Sequence, residues 1–63
     1  MDILSRRNEL GLLQKDLSIA TGINQSTISK YENGKLQIKR EAMKKIAKAL
    51  ETDVQTLFFS EEQ

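Results

Sequence analysis

The 63-residue chain contains no cysteine, no histidine, no proline and no tryptophan. Without cysteine or histidine it can form neither disulfides nor a zinc site, so apolar packing must stabilise the fold. It also lacks a glycine-rich phosphate loop and carboxylates paired in a pocket. These absences argue against an enzyme and give no reason to expect a metal, a cofactor or a small-molecule substrate. The absence of cysteine fits a reducing cytoplasm.

Long hydrophobic runs are absent too, since the longest stretch of large apolar residues is Leu57-Phe58-Phe59. No segment resembles a signal peptide or a membrane span, so we expect a soluble, cytoplasmic protein that does not engage a membrane. A chain this short holds one domain, which we assign to residues 1–63. With no proline and 30% charged residues, helices are favoured over short strands.

Charge is distributed unevenly along a chain whose net charge is only +1. Residues 30–48 contain seven basic and two acidic residues, whereas the last fifteen residues contain four acidic residues and no basic one. This asymmetry is typical of a module that binds phosphates at one end. A lysine-rich helix exposed to water would produce the same pattern.

Helix-ending residues divide the chain into five short helices, which predicts an all-α bundle. The breaks fall at Gly11, Gly22, Asn33-Gly34 and residues 51–53. The clearest helix spans residues 40–50, where apolar residues recur with helical spacing. These positions are Ala42, Met43, Ile46, Ala47 and Leu50.

Capping residues and apolar faces predict the remaining helices. Asp53 is expected to cap a last helix that carries Val54, Leu57 and Phe58, after which residues beyond Phe59 should fray. In the first helix, Arg7 shares the inner face with apolar residues. Because an unpaired buried guanidinium is costly, we expect it to pair with Glu32.

Two helices separated by a glycine turn, at about residues 14–32, have the form of a DNA-binding helix-turn-helix. The second of them has Asn24 as its expected cap and Ile28 and Tyr31 facing inward. Its outward positions carry hydrogen-bonding side chains and no acid. These are Gln25, Ser26, Ser29 and Lys30. Such groups can pair with base edges, although a polar surface alone would look the same.

The order of residues resembles the Cro/cI (XRE-type) helix-turn-helix family over residues 3–58. The resemblance lies in three runs: Gln14-Lys15-Asp16-Leu17-Ser18-Ile19-Ala20-Thr21-Gly22-Ile23, Ser26-Thr27-Ile28-Ser29-Lys30-Tyr31-Glu32-Asn33-Gly34-Lys35 and Ile46-Ala47-Lys48-Ala49-Leu50. It implies a compact five-helix domain like that of phage repressors, binding double-stranded DNA. Because so small a head offers few DNA contacts, we expect it to bind as a homodimer. Pairing is expected through the region around residues 57–59.

The resemblance also implies roles for individual residues. Gln25, Ser26 and Lys30 match positions that reach base edges, with Asn24 and Ser29 as helpers. Gln14 would bind a phosphate and brace Gln25, and Arg7 with Glu32 matches a supporting ion pair. Thr27, Asn33 and Lys35 match positions near the sugar-phosphate backbone. We expect Lys39 and Arg40 to contact phosphates as well, because they are basic.

Several residues depart from the family pattern. Leu13 replaces the Ser or Thr that usually caps the second helix, Ile38-Lys39-Arg40 replaces a Pro-Ser-Leu run, and Glu51 occupies a position that is often Gly. Apolar residues also stand where polar ones are usual, and they predict an exposed patch for a protein partner. They are Leu4, Leu13 and Ile19. An alternative function is therefore a protein-interaction module of the same fold, such as an antitoxin or an anti-repressor partner.

Overall fold

The computed structural model describes residues 2–59, and within them the fold is all-helical, as the sequence predicts. The fraying predicted after Phe59, and the acidic residues Glu61 and Glu62, fall outside the described residues. The five helices are α1 (Ile3–Glu9), α2 (Gln14–Thr21), α3 (Gln25–Glu32), α4 (Arg40–Ala49) and α5 (Val54–Phe58).

Every helix contributes at least one side chain to a single apolar core. α2 packs against α3 and α4, α4 packs against α5, and α1 packs against α3. The apolar residues that recur with helical spacing in the predicted helix 40–50, which form its apolar stripe, supply the largest share of the core. Two of them, Ala42 and Met43, stay half-buried. The buried apolar residues are Ile3, Leu17, Ile28, Ile46, Ala47, Leu50 and Leu57. This core holds α2 and α3 in a fixed relation while the outer face of α3 stays in solvent.

Two aspartates cap helices with their side chains. Asp2 Oδ1 accepts a hydrogen bond from Ser5 N at 2.8 Å, and Asp53 Oδ1 accepts one from Thr56 N at 2.7 Å. Asp53 is therefore the cap that the sequence predicts. In each case the hydrogen bond from a backbone N–H favours the charged carboxylate, which lowers the pKa of Asp2 and of Asp53 below the usual value.

Acid should weaken the fold through these caps. Because the folded-state pKa of Asp53 is lowered, its contribution to stability is present above about pH 4 and is lost as the pH falls through the folded value. In Asp53→Asn, which keeps an acceptor oxygen but cannot titrate, we expect a flatter dependence of the melting temperature on pH between about 5 and 2. Thermal melts followed by circular dichroism measure this. A wild-type slope in Asp53→Asn would contradict the expectation.

Arg6 joins α1 to the end of α4. Its Nε donates to Leu50 O at 2.8 Å and its Nη2 to Glu51 O at 3.3 Å, so it satisfies carbonyls that the helix end leaves free. The chain turns there through Glu51, which adopts a left-handed conformation with φ 58°. A side chain in that region is strained, so Glu51 bears the strain that Gly would avoid.

Replacing Glu51 with Gly should therefore stabilise the protein. Relief of the left-handed strain outweighs the greater flexibility of Gly in the unfolded chain, giving a net gain of about 0.5–1 kcal/mol. Urea unfolding measures the change. The control is Lys48→Gly within α4, where the backbone is right-handed and Gly should cost about 1 kcal/mol. A less stable Glu51→Gly variant would show that the strain is compensated locally.

Candidate nucleic-acid interface

The turn between α2 and α3 is fixed by two hydroxyl side chains of α2. Ser18 Oγ donates to Ile23 O, and Thr21 Oγ1 accepts from Ile23 N at 3.1 Å while donating to Leu17 O at 2.8 Å. Gly22 supplies the left-handed residue of the turn, with φ 76°. These bonds hold the two helices at one angle. Sequence reasoning missed that these two side chains fasten the turn.

The outer face of α3 is polar. Gln25, Ser26 and Lys30 are exposed, whereas Ser29 is half-buried and its Oγ lies 3.5 Å from Asn33 Nδ2. An α-helix with its side chains is about 10–12 Å in diameter, comparable with the roughly 12 Å width of the DNA major groove. This face can therefore enter the groove and present hydrogen-bonding groups there.

Asn24 immediately precedes α3 at the N-cap position. The sequence predicts that its side chain caps the helix, but the side chain makes no capping hydrogen bond. The side chain is exposed, so water can satisfy the free N–H groups of the first turn in its place. The carboxamide of Asn24 is consequently available to a ligand at the N-terminal end of α3.

The candidate backbone contacts lie in α2, in α3, in the segment between α3 and α4, and at the first residue of α4. Gln14 and Thr27 are half-buried, whereas Asn33, Lys35, Lys39 and Arg40 are exposed. All seven basic residues between positions 30 and 48 are exposed, and none pairs with a carboxylate of residues 2–59. Their charge is therefore available to an anionic ligand.

Arg7 and Glu32 form a buried ion pair beneath the interface. Arg7 Nε lies 2.8 Å from Glu32 Oε2, and the two side chains are 10% and 4% exposed. Glu32 Oε1 also accepts from Gln14 Nε2 at 2.9 Å, a contact that sequence reasoning missed. Gln14 Oε1 in turn lies 3.5 Å from Gln25 Nε2.

The three apolar residues expected to form a patch are all exposed, by 43% for Leu4, 66% for Leu13 and 73% for Ile19. Leu4 borders a cavity of about 210 Å³ beside α5, and Ile19 borders one beside the α2–α3 turn. The two cavities share no lining residue, and Leu13 precedes α2. Leu4 and Ile19 thus border different cavities.

Residues 2–59 contain no group of acidic side chains arranged to hold a metal ion. Among the helices that the structure describes, none has the length and apolar character needed to cross a bilayer.

Comparison with known proteins agrees with this geometry. A helix-turn-helix family model matches residues 3–57, a range that extends from the first residue of α1 into α5. No curated protein and no solved structure matches the chain. Proteins of the matching family are regulators that bind DNA, and catalysis is not typical of them. With its five helices and its fastened α2–α3 turn, this chain belongs to the XRE-type (Cro/cI-like) helix-turn-helix family.

Proposed function

We propose that the protein is a sequence-specific transcriptional repressor that binds a palindromic operator in double-stranded DNA as a homodimer. One observation carries the proposal: α3 exposes a polar face without an acidic side chain, on a helix that the core and the α2–α3 turn hold rigidly. Repression would be steric, because a dimer on the operator excludes other proteins from the same DNA.

Selectivity for sequence would come from Gln25, Ser26 and Lys30, assisted by Asn24 and Ser29. An amide can pair bidentately with adenine, lysine can reach the acceptors of guanine, and serine can bond to either kind of group. Register on the duplex would come from phosphate contacts. The residues proposed for those contacts are Gln14, Thr27, Asn33, Lys35, Lys39 and Arg40.

Pairing of two copies follows from the small size of the interface. A single 63-residue head offers few contacts, and two heads on half-sites about 34 Å apart double them. The longest dimension of one copy is 32 Å, so copies on successive turns can lie close enough to touch. Leu57 is buried and cannot join the pairing surface that the sequence suggested, whereas Phe59 is 55% exposed and remains available.

Selection of bound sequences from a random pool of duplex DNA tests the proposal. We expect enrichment of a palindrome whose half-sites are separated by about 10 base pairs, centre to centre. Enrichment of one unrepeated half-site would contradict pairing, and no enrichment would contradict sequence-selective binding.

The dependence of affinity on salt should separate phosphate contacts from base contacts. Lys35→Ala should lower the slope of log K against log salt concentration by about 1 per subunit, because one fewer counterion is released. Gln25→Ala should keep the wild-type slope but relax base choice. Filter binding at several salt concentrations measures both. The opposite pattern would exchange the two roles.

Exposed apolar side chains favour a second candidate function, a protein-interaction module. Leu13 and Ile19 are the two most exposed large hydrophobic residues described. If a partner covers them, polar substitutions at Leu4, Leu13 and Ile19 should abolish its binding or change the oligomeric state. Unchanged oligomeric state and unchanged binding in that triple variant would eliminate this candidate.

A further inference from the structure

A series of hydrogen-bonded side chains runs from the buried ion pair to the recognition helix. Arg7 donates to both carboxylate oxygens of Glu32, from Nε at 2.8 Å and from Nη2 at 3.2 Å. Glu32 accepts from Gln14 Nε2 at 2.9 Å, and Gln14 Oε1 lies 3.5 Å from Gln25 Nε2. The contacts thus connect a buried charge to an exposed amide.

The inner end of this series is fixed. Arg7 Nη1 also donates to Leu12 O at 2.9 Å, so the guanidinium is held both by the main chain and by Glu32. Two hydrogen bonds in parallel then determine the orientation of the carboxylate. Because both side chains are almost fully buried, water does not compete strongly for these bonds.

The carboxylate determines which way the amide of Gln14 faces. An ionised carboxylate accepts hydrogen bonds and donates none, so only the NH₂ end of Gln14 can face Glu32. A flipped amide would bring its carbonyl oxygen against a carboxylate oxygen, which is repulsive. Gln14 therefore turns its oxygen towards Gln25, and that oxygen can only accept.

The same argument extends to Gln25. In this contact the NH₂ group of Gln25 faces Gln14, which uses one N–H and leaves the second N–H and the carbonyl oxygen for a ligand. We propose that Glu32 is a positioning residue for base selection, which acts through Gln14 to set the order in which Gln25 presents donor and acceptor. This inference rests on the proposed function, since it requires Gln25 to meet a base.

The fixed order matters because adenine presents an acceptor and a donor side by side in the major groove, and an amide pairs with both only in one orientation. If Gln14 could flip, Gln25 would present either order. If both orders were equally populated, only half of the molecules could pair with adenine through Gln25. A preference for the wrong order would lower that fraction further. Loss of Glu32 should therefore reduce the preference for the base pair that Gln25 reads by about 2- to 10-fold.

Two variants test this on duplexes that carry the selected operator. Glu32→Gln removes the acceptor-only partner, and Gln14→Met removes the middle of the series while leaving the Arg7–Glu32 ion pair intact. For each folded variant, affinity is measured for the operator and for duplexes changed at one base pair. Glu41→Gln, the same chemical change at an exposed residue of α4, is the matched control.

We expect both variants to lose preference at the base pair whose recognition Gln25→Ala relaxes, and to keep it at the base pair that Lys30 reads. In a Gln25→Ala background neither substitution should alter base preference further, because the side chain that reads the base is then absent. If Glu32→Gln does not fold, Arg7→Met with Glu32→Met, which removes the same carboxylate without leaving a buried charge, takes its place.

Folded variants with wild-type preference at every position would overturn the inference while leaving the proposed function intact. An equal loss at all positions would also overturn it, since that result indicates general destabilisation. If the wild-type protein prefers no sequence, both the inference and the proposed function are overturned. The sequence preference of the wild-type protein is therefore measured first.

Discussion

Substitution of both Gln25 and Lys30 by alanine is expected to abolish sequence-selective DNA binding and to leave the fold intact. Both side chains are exposed on α3, so their removal exposes no core residue. A well-placed contact of this kind discriminates by about 1–3 kcal/mol, and the pair therefore by about 2–6 kcal/mol. Affinity for the selected operator should fall by roughly one and a half to four orders of magnitude.

Affinity for unrelated DNA should change far less in this double variant, because phosphate contacts carry most of the nonspecific binding. Electrophoretic mobility shift with operator and scrambled duplexes gives both values. Lys45→Ala is the matched control for loss of one positive charge, since Lys45 is exposed on α4. Equal losses for operator and scrambled DNA would mean that α3 contributes charge and no base recognition.

Local sequence patterns predict most of this fold. Helical spacing of apolar residues identified α4, and three of its five stripe residues, Ile46, Ala47 and Leu50, are buried in the core. Asp53 was identified as a cap because the carboxylate of an aspartate just before a helix can accept a hydrogen bond from a backbone N–H of the first turn. Such signals depend on residues within about one helical turn of each other, which are three or four positions apart in the sequence.

Contacts between distant residues could not be read from the sequence in the same way. The bond from Arg6 to Leu50 O and the bond from Gln14 to Glu32 join residues 44 and 18 positions apart. Their existence depends on how the helices cross, and local spacing does not determine that. Arg7 and Glu32 were an exception, because a charge on an apolar face requires a partner and the resemblance to the Cro/cI family pointed to Glu32.

Asn24 shows the limit of a local rule. Asparagine is favoured at the N-cap, the residue just before a helix, and Asn24 holds that position without making the side-chain hydrogen bond. An exposed helix end can use water in place of the cap, and sequence alone does not distinguish the two cases. The resulting free amide belongs to the candidate interface, so the missed cap bears directly on function.

Replacing Arg7 with alanine is expected to unfold the protein. Removing one member of a buried ion pair leaves the other charge uncompensated and costs about 3–5 kcal/mol. A domain of 63 residues has a total stability of roughly 3–9 kcal/mol, so the loss is comparable with the whole. Circular dichroism should show a large fall in the melting temperature or no folded baseline. Arg40→Ala, at an exposed arginine, should stay within about 0.5 kcal/mol of wild type.

Removing both charges together should restore the fold. In Arg7→Met with Glu32→Met, no charge remains buried, and apolar side chains of similar length fill the site, so stability should return to within about 1–2 kcal/mol of wild type or exceed it. Gln14 then has no carboxylate to face, and the restored protein should still show weakened preference at the base pair that Gln25 reads. A double variant as unstable as Arg7→Ala would show that the hydrogen bond to Leu12 O, lost in both variants, supplies the stability.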